Sequence, residues 1–381
     1  MKWETYKLKQ LCSEIVDCVN KTAPTSDVPT PYKMLRTSDI RGGKINLENL
    51  NCVTKEVYEK WTRRGKLQKG DVIFTREAPL GEVGLVREEK NYFLGQRLVL
   101  FRANNKMCDG RFLMYSLLWH DNKQAIISKG VGSTVAHLRV PECENIEIKV
   151  LGLDAQHRIA DILSAYDDLI ENNQKQIKLL EEAAQRLYKE WFVDLRFPGH
   201  ENTKIVDGVP EGWQWCKVRD VADINSSALP KNYKEDFIDY VDLGSVRCGH
   251  IETRTRYNLN EAPGRAKRCA KDGDIIWGMV RPNLKAYALV TNPKETDVFS
   301  TGFAVLSAKK VPYSYLYCAV TQEEFVGYLV NATNGAAYPA VKPVHFEVAD
   351  ILKPDDKVLE QFHSVADSIY RKKHWKIKTI I

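Results

Sequence analysis

Hydrophobic residues recur every three or four positions along residues 154–191, a stretch without glycine or proline. One set falls at Ile159, Ile162, Tyr166 and Leu169, and a second at Ile177, Leu180, Ala184, Leu187 and Trp191. This spacing is typical of a coiled-coil seam, and its phase slips near Asn173 as a stutter does. The pattern predicts one helix about 57 Å long, too long to pack on a single domain.

Short runs of β-branched and aromatic residues on both sides of this helix predict strands. They cover residues 71–74, 98–101, 274–277 and 304–306, and are bounded by glycine, proline or charged turns. Helical stretches near 111–128 and 312–330 follow the strands, and a further helix begins after Pro354. The mixture predicts an α+β fold.

The two halves of the chain repeat each other. Trp3-x-x-x-Lys7-Leu8 recurs as Trp213-x-x-x-Lys217-Val218, Gly70-Asp-Val-Ile-Phe74 as Gly273-Asp-Ile-Ile-Trp277, and His157-Arg-Ile-Ala-Asp161 as His363-Ser-Val-Ala-Asp367. The matches keep the same order at nearly constant offsets. Such a long repeat predicts two whole domains of similar fold and not a solenoid.

Four segments follow from this repeat: a first domain (1–153), a long central helix (154–197), a second domain (198–353) and a short C-terminal helix (354–381). If the two helices pair antiparallel, an approximate two-fold axis relates the domains. Because the backbone of duplex DNA is itself two-fold, this arrangement suits a split target with an unread spacer. The shorter second helix leaves Ile159, Ile162 and Tyr166 without a partner, so we expect a partner subunit, the first domain or a second copy to cover them.

Composition narrows the classes of protein. The 381 residues are 44% hydrophobic and 28% charged, an ordinary globular balance, and no apolar run is long enough to cross a membrane. Nine scattered cysteines, never spaced as CxxC, indicate reduced thiols and a cytoplasmic protein. The net charge is +6, although residues 154–197 carry nine acidic and only six basic side chains. Positive charge therefore lies in the predicted domains, where it would meet phosphates, or it is merely solvated surface.

Motifs of enzymes are missing from the sequence. It has no GxxxxGK[ST] loop, no GxGxxG, no Asn/Asp-Pro-Pro-Tyr/Phe tetrapeptide and no HxxxH spacing. Pro354-Asp-Asp-Lys357 and Glu147-Ile-Lys149 could suggest a nuclease, but we interpret them as a helix N-cap and as surface charge. We expect no catalytic residues, no metal and no cofactor in this chain.

Three segments carry a resemblance to a known family: Ala155-Gln-His-Arg-Ile-Ala-Asp-Ile-Leu163, Asp167-Asp-Leu-Ile-Glu-Asn-Asn173 and Arg186-Leu-Tyr-Lys-Glu-Trp-Phe-Val-Asp-Leu-Arg-Phe197. They closely resemble the central conserved region of specificity subunits of type I restriction–modification systems. Val209-Pro-Glu-Gly-Trp213 is similar to that family's entry into its second domain. The resemblance implies two target-recognition domains separated by long conserved helices that form an antiparallel coiled coil.

The resemblance also implies a function and partners. The chain would be a non-catalytic subunit that binds a bipartite double-stranded DNA target and directs methylation and restriction. It would assemble with two methyltransferase subunits, which bind S-adenosylmethionine, and with restriction subunits that use ATP and Mg. Two alternatives stay open: a nuclease or methyltransferase with an unrecognised site, and a coiled-coil adaptor that binds no DNA.

Candidate DNA contacts follow from side-chain chemistry, because arginine reads guanine, asparagine and glutamine read adenine, and lysine, serine and threonine commonly hold phosphate. In the first domain they are Arg36, Thr37, Ser38, Arg41, Lys44, Thr75, Arg76, Gln96, Arg97, Ser133, Thr134 and His137. In the second they are Arg247, Trp277, Met279, Arg281, Asn283, Lys285, Thr301, Asn334 and Tyr338. Arg76 and Arg281 are favoured because equivalent strand ends carry them, whereas Trp277 could equally be a core residue.

Overall fold

The computed structural model describes residues 2–132, 135–247, 249–333 and 339–380. It divides into two compact units, Met1–Leu169 and Ile170–Ile381. The boundary between the units falls inside the predicted central helix. Mixed helices and strands in both units confirm the predicted α+β class.

The first unit contains many short strands and helices, among them the strands predicted at residues 71–74 and 98–101. Its strands are β1 (Glu4–Lys7), β2 (Cys12–Asp17), β3 (Lys33–Leu35), β4 (Ile40–Arg41), β5 (Lys44–Ile45), β6 (Asn51–Cys52), β7 (Val72–Thr75), β8 (Val83–Leu85), β9 (Tyr92–Leu94), β10 (Leu98–Ala103) and β11 (Glu147–Val150). Its helices are α1 (Leu8–Leu11), α2 (Lys55–Trp61), α3 (Gly110–Leu118), α4 (His120–Ser128), α5 (Val140–Glu144) and the first part of α6 (Leu153–Tyr188). The helix predicted near 111–128 is thus two helices, α3 and α4.

The second unit repeats this order after the remainder of α6, which ends in a π-helical turn at Lys189–Val193. Its strands are β12 (Ile205–Val206), β13 (Val209–Pro210), β14 (Gln214–Lys217), β15 (Ala222–Ile224), β16 (Phe237–Val241), β17 (Val246–Arg247), β18 (His250–Ile251), β19 (Thr255–Asn258), β20 (Ala266–Arg268), β21 (Ile275–Gly278), β22 (Tyr287–Leu289), β23 (Asp297–Ser300), β24 (Phe303–Ala308) and β25 (Asp350–Lys353). Its helices are α7 (Val218–Val221), α8 (Tyr313–Val320), α9 (Glu323–Asn331), α10 (Pro343–Glu347) and α11 (Asp356–Lys378).

The two units share the order of their main sheet and the parallel centre of a smaller one, which confirms that they are two similar domains. A four-stranded antiparallel sheet has the order β2-β10-β7-β8 in the first unit and β15-β24-β21-β22 in the second. A smaller sheet has the order β6-β3-β9 in the first unit and β19-β16-β23-β20 in the second. Its central pair, β3 with β9 or β16 with β23, is parallel. Strand β20, which pairs with β23, has no counterpart among the described strands of the first unit.

Both faces of each four-stranded sheet are buried. In the first unit Val72 and Phe74 face a cluster that includes α3, whereas Ile73 faces a second cluster with Leu35 and Ile40. Alternate residues point to opposite faces of a strand, so a strand buried on both faces reads as a continuous apolar run. This explains why residues 71–74 and 274–277 show no alternation of polar and apolar positions.

Helices α6 and α11 pair antiparallel within the second unit. The Asn173 amide donates to the Thr379 hydroxyl at 3.0 Å, and the rings of Tyr188 and Phe362 lie 6.3 Å apart at the other end of the seam. Asn173 is buried, and its amide oxygen accepts from the Lys376 ammonium at 3.1 Å. A polar residue with its hydrogen bonds satisfied in an apolar seam fixes the register of paired helices. Asn173 does so at the position where the phase of the apolar pattern slips.

The part of α6 in the first unit carries an exposed apolar strip, which we define as Ile162, Tyr166 and Leu169. Their side chains are 60%, 64% and 48% exposed. Ile159 differs, because it packs against the core of the first unit. One of the three residues predicted to need a cover is therefore covered by its own domain.

Candidate nucleic-acid interface

Two parallel strands of the first unit end side by side. Leu35 at the end of β3 is paired with Leu94 at the end of β9, and the Gly95 N–H donates to the Leu35 carbonyl at 2.9 Å. A β-carbon on Gly95 would lie 2.3 Å from that oxygen, so the strands can meet this closely only with glycine there. Because the carboxyl ends of parallel strands share one edge, Arg36 and Gln96 emerge next to each other.

The end of β7 brings further candidates to the same place. The Arg76 N–H donates to the Arg97 carbonyl at 2.8 Å, and the Leu138 N–H donates to the Arg76 carbonyl at 3.0 Å. Glu77 forms an isolated antiparallel bridge with His137. Five predicted residues, Arg36, Arg76, Gln96, Arg97 and His137, thus form one group, which we call the strand-end edge of the first unit.

Carboxylates orient the arginines of this edge. Arg76 is 17% exposed and donates to the Asp17 carboxylate at 3.2 Å and to the Leu138 carbonyl at 3.2 Å. Arg36 pairs with Asp39 at 2.8 Å and remains 40% exposed. Arg97, half exposed, lies 3.1 Å from Glu77. Partly exposed guanidinium groups held in place by carboxylates suit recognition of base edges and phosphates, because their donors are already aligned.

Arg41 and Lys44 lie on the β4–β5 hairpin beside the four-stranded sheet, where the Gly43 N–H donates to the Val83 carbonyl at 2.9 Å. Glu82 accepts from the Gly42 N–H at 3.0 Å and from the Lys123 ammonium at 2.6 Å. Burial acts to raise the pKa of Glu82, but these two hydrogen bonds and the nearby Arg41 charge outweigh it and lower the pKa. The hairpin is therefore fixed by an ionised carboxylate, and Arg41 is exposed.

The second unit has an equivalent strand-end edge, formed by Met279, Arg281 and Thr301. The Met279 N–H donates to the Gly302 carbonyl at 2.9 Å, and the Arg281 N–H donates to the Pro339 carbonyl at 2.8 Å. Arg281 and Lys285 have left-handed backbones, with φ of +50° and +53°. They flank a short 3-10 turn that carries the exposed Asn283. Strained non-glycine residues of this kind concentrate at binding sites.

The remaining candidates divide by accessibility. Trp277 is fully buried and its indole N–H donates to the Val320 carbonyl at 3.0 Å, so its position is that of a core residue. Thr75 is also fully buried, with its hydroxyl donating to the Pro79 carbonyl. Neither side chain has surface with which to meet DNA.

Two further candidates of the second unit lie at its surface. Arg247 lies on the β17–β18 hairpin, the equivalent of β4–β5, and Lys285 pairs with Glu323.

Two candidates lie in the 3-10 turn that follows Arg36: Thr37, which is half-buried, and Ser38, which is exposed. Ser133, Thr134, Asn334 and Tyr338 lie outside the described residues.

Comparison with known proteins agrees with this architecture. Residues 1–182 match the type I restriction modification DNA specificity domain. The chain is 24% identical over 318 residues to the MjaIX specificity subunit of a type I restriction enzyme from Methanocaldococcus jannaschii, a match that covers 80% of this chain and 72% of the relative. It is 26% identical to the MjaVIII specificity subunit from the same organism, covering 82% and 72%. The chain is thus similar, over about four fifths of its length, to specificity subunits of type I restriction enzymes.

A solved structure has the same fold. The crystal structure of the S subunit from M. genitalium superposes with a TM-score of 0.58 at 15% identity, and the match covers 100% of this chain and 96% of that one. The predicted fold of two similar domains joined by long helices is confirmed.

Other charged residues, which were not among the predicted DNA contacts, also reach the strand-end edges. Asp17, at the end of β2, lies 3.2 Å from Arg76 and 3.8 Å from Arg64. Two runs rich in lysine and arginine, residues 62–69 and 264–271, precede the repeated Gly-Asp strands, and we call them the basic segments. Their position before Gly70-Asp71 and Gly273-Asp274 is the sequence signal that could have identified them.

Other features of the described residues add little to this site. Within the ranges that the structure describes, no group of three or more His, Cys, Asp or Glu side chains could hold a metal ion. No described helix combines the length and the apolar character needed to cross a membrane. The Asp355 carboxylate caps α11 by accepting from the Val358 N–H at 3.0 Å, which confirms the predicted N-cap.

Proposed function

We propose that this chain is the DNA-recognition subunit of a type I restriction–modification complex, and that each unit reads one half of a bipartite duplex target. The observation that carries this proposal is the repeated strand-end edge: the N–H of Arg76 donates to the Arg97 carbonyl in the first unit, as the N–H of Met279 donates to the Gly302 carbonyl in the second, and Arg281 follows Met279 by two residues. Two equivalent reading edges on one chain match two half-sites. The DNA specificity domain matched by residues 1–182 supports the same ligand.

The chain contributes recognition and no chemistry of its own. Methyl transfer belongs to methyltransferase subunits, of which two would bind, and S-adenosylmethionine is their cofactor. Cleavage and translocation belong to restriction subunits that use ATP and Mg. The names of the relatives, which are specificity subunits of restriction enzymes, support this division. The complex would act on chromosomal and invading DNA in the cytoplasm.

Within each strand-end edge we assign roles by exposure. Arg97 and Arg36 are at least two-fifths exposed and would meet base edges or phosphates. Arg76 is mostly buried and would position the edge through Asp17. In the second unit, exposed Arg281 and Asn283 would read bases, arginine at guanine and asparagine at adenine.

The test combines binding and methylation. The purified chain should bind duplex DNA in a salt-dependent manner and should neither methylate nor cleave it. In cells carrying the complete system, sequencing that detects methylated adenine should give one bipartite motif, and deletion of this chain should abolish it. Methylation or cleavage by the chain alone would favour an enzyme, and salt-independent or absent DNA binding would favour an adaptor.

A further inference from the structure

The two basic segments are alike in composition and in position. Residues 62–69 carry Arg63, Arg64, Lys66 and Lys69, and residues 264–271 carry Arg265, Lys267, Arg268 and Lys271. Neither segment contains an acidic residue. The first segment stands immediately before the Gly-Asp turn that opens β7, the third strand of its four-stranded sheet. The second is separated from the equivalent turn before β21 by one residue, Asp272.

Both segments reach the strand-end edge of their unit. In the first, the Arg64 guanidinium donates to the Cys18 carbonyl at 2.9 Å and shares the Asp17 carboxylate with Arg76. In the second, the Thr301 N–H donates to the Arg265 carbonyl at 2.8 Å. A candidate base-reading edge and a run of cations thus stand side by side in each unit.

The backbone of each segment is fixed, although its cations are exposed. The Arg102 guanidinium donates to the Lys66 carbonyl at 2.8 Å, and Leu67 is buried in the core. In the second unit, residues 266–268 form β20, and the Leu229 N–H donates to the Lys267 carbonyl at 2.9 Å. Cations on an ordered backbone lose less conformational freedom on binding than cations on a loose loop.

Ion pairing distinguishes these cations from those of the strand-end edge. Arg36, Arg76 and Arg97 each have a carboxylate partner. Six exposed cations of the basic segments form no ion pair with any carboxylate of the described chain: Arg63, Lys66 and Lys69 in the first unit, and Arg265, Lys267 and Lys271 in the second. Positive charge that the protein itself does not neutralise is the feature that binds DNA phosphates and releases counterions.

We propose that the basic segments are a pair of phosphate-binding elements, one in each unit, that hold the duplex backbone next to the half-site read by the neighbouring strand-end edge. The inference rests on the proposed function. It assigns affinity to the segments and base reading to the edges, because phosphate contacts position the protein and base contacts specify the sequence.

The test uses charge-matched variants of the full chain. R63Q/K66Q/K69Q and R265Q/K267Q/K271Q each remove three unpaired cations from one segment. The control K9Q/K149Q/K357Q removes three exposed cations from α1, β11 and α11 and changes the net charge equally. Circular dichroism and thermal melting verify that all variants are folded. Fluorescence anisotropy with a random-sequence duplex then measures affinity between 50 and 300 mM salt.

Each segment variant should lose roughly tenfold in affinity for random duplex, and the slope of log affinity against log salt should fall by about one unit for each cation that meets a phosphate. The control should retain the wild-type slope. In cells, the methylated motif should be unchanged in sequence, with incomplete methylation of its sites. Slopes of segment variants equal to that of the control would overturn the inference while leaving DNA recognition intact. A wild-type chain without salt-dependent binding would instead overturn the proposed function, and the inference with it.

Discussion

Lys373 of α11 forms an ion pair with Glu181 of α6, and both groups are largely buried between the two helices of the second unit. The Lys373 ammonium also donates to the Gly249 carbonyl at 3.0 Å, and the Tyr317 hydroxyl donates to Glu181 at 3.1 Å. This network fixes the antiparallel register of the helices from a position inside their seam. Removing one member of a buried pair leaves the other charge uncompensated.

K373M should therefore lower the free energy of unfolding of the second unit by about 3 kcal/mol. The matched control is R371Q, on the same helix, because Arg371 is 78% exposed and pairs with Asp367 at the surface. That change should cost less than about 1 kcal/mol. Urea denaturation followed by circular dichroism measures both values. Equal costs for the two variants would show that the buried pair does not stabilise the helix pairing.

The repeat predicts a pH effect at one buried aspartate. Asp71 is paired with the Arg102 guanidinium, with both hydrogen bonds at 2.9 Å, but its repeat equivalent Asp274 has Ser307 at the position of that arginine. One carboxylate oxygen of Asp274 accepts from the Lys271 N–H at 2.8 Å, while the other finds no hydrogen-bond donor among the described residues. Burial raises the pKa of Asp274.

Because the folded-state pKa of Asp274 lies above that of an unfolded aspartate, about 3.9, the carboxyl favours folding only at acidic pH, and this contribution is lost as the pH rises through the folded-state value. D274N should thus raise the melting temperature at pH 7, with a gain that shrinks towards pH 4. D71N, which breaks the Arg102 pair, should lower stability by about 2 kcal/mol at pH 7. Calorimetric scans across pH check both expectations. A D274N effect that is constant with pH would contradict them.

Arg76 and Arg281 follow the equivalent strands β7 and β21, but the structure predicts different consequences of their removal. Arg76 is mostly buried against Asp17, so R76A should lower both the melting temperature and DNA affinity. Arg281 is exposed, so R281A should leave the melting temperature nearly unchanged. If Arg281 reads guanine, its loss should cost about 1–3 kcal/mol on cognate DNA and little on random DNA. Equal weakening on both DNAs would make Arg281 a phosphate contact.

The exposed apolar strip predicts a partner surface. I162E/Y166E places two charges on the strip and should prevent assembly with the methyltransferase, because exposed apolar patches of this kind are usually interaction sites. Random-duplex binding by the chain alone should persist. W3E/V28E, which alters two other exposed apolar side chains of the first unit, is the control. Light scattering of mixtures with the methyltransferase gives the result, and normal assembly of I162E/Y166E would exclude the strip as the docking surface.

Much of the architecture could be predicted from the sequence because the signals are local or repeated. The 3–4 spacing predicts a helix over 154–191, and α6 covers Leu153–Tyr188. The repeated Gly-Asp motifs mark the starts of β7 and β21. Five of the predicted DNA contacts lie together at the strand-end edge of the first unit. The parallel pairing of β3 with β9 was not predictable, since it joins Leu35 to Leu94 across a long stretch of chain with no pattern of its own.

The burial of Thr75 and Trp277 was not predictable either. A short apolar strand does not show whether its last residue turns inward, and only packing on both faces of the sheet decides this. The role of the basic segments could not be predicted from the sequence for a similar reason. A run of cations is usually solvated surface. Arg64 and Arg265 differ from such a surface because the fold places them next to Asp17 and Thr301 of the strand-end edges, and this placement has no signal in the sequence.

The most direct test of the central claim is a domain exchange. Residues 1–153 are replaced by the first domain of a similar specificity subunit with a different target, and methylated adenines are mapped across the genome of cells that carry the complete system. The account predicts that one half-site of the motif changes, while the other half-site and the spacing between them are retained. A change in both half-sites, or in neither, would contradict the claim that each unit reads its own half of the target.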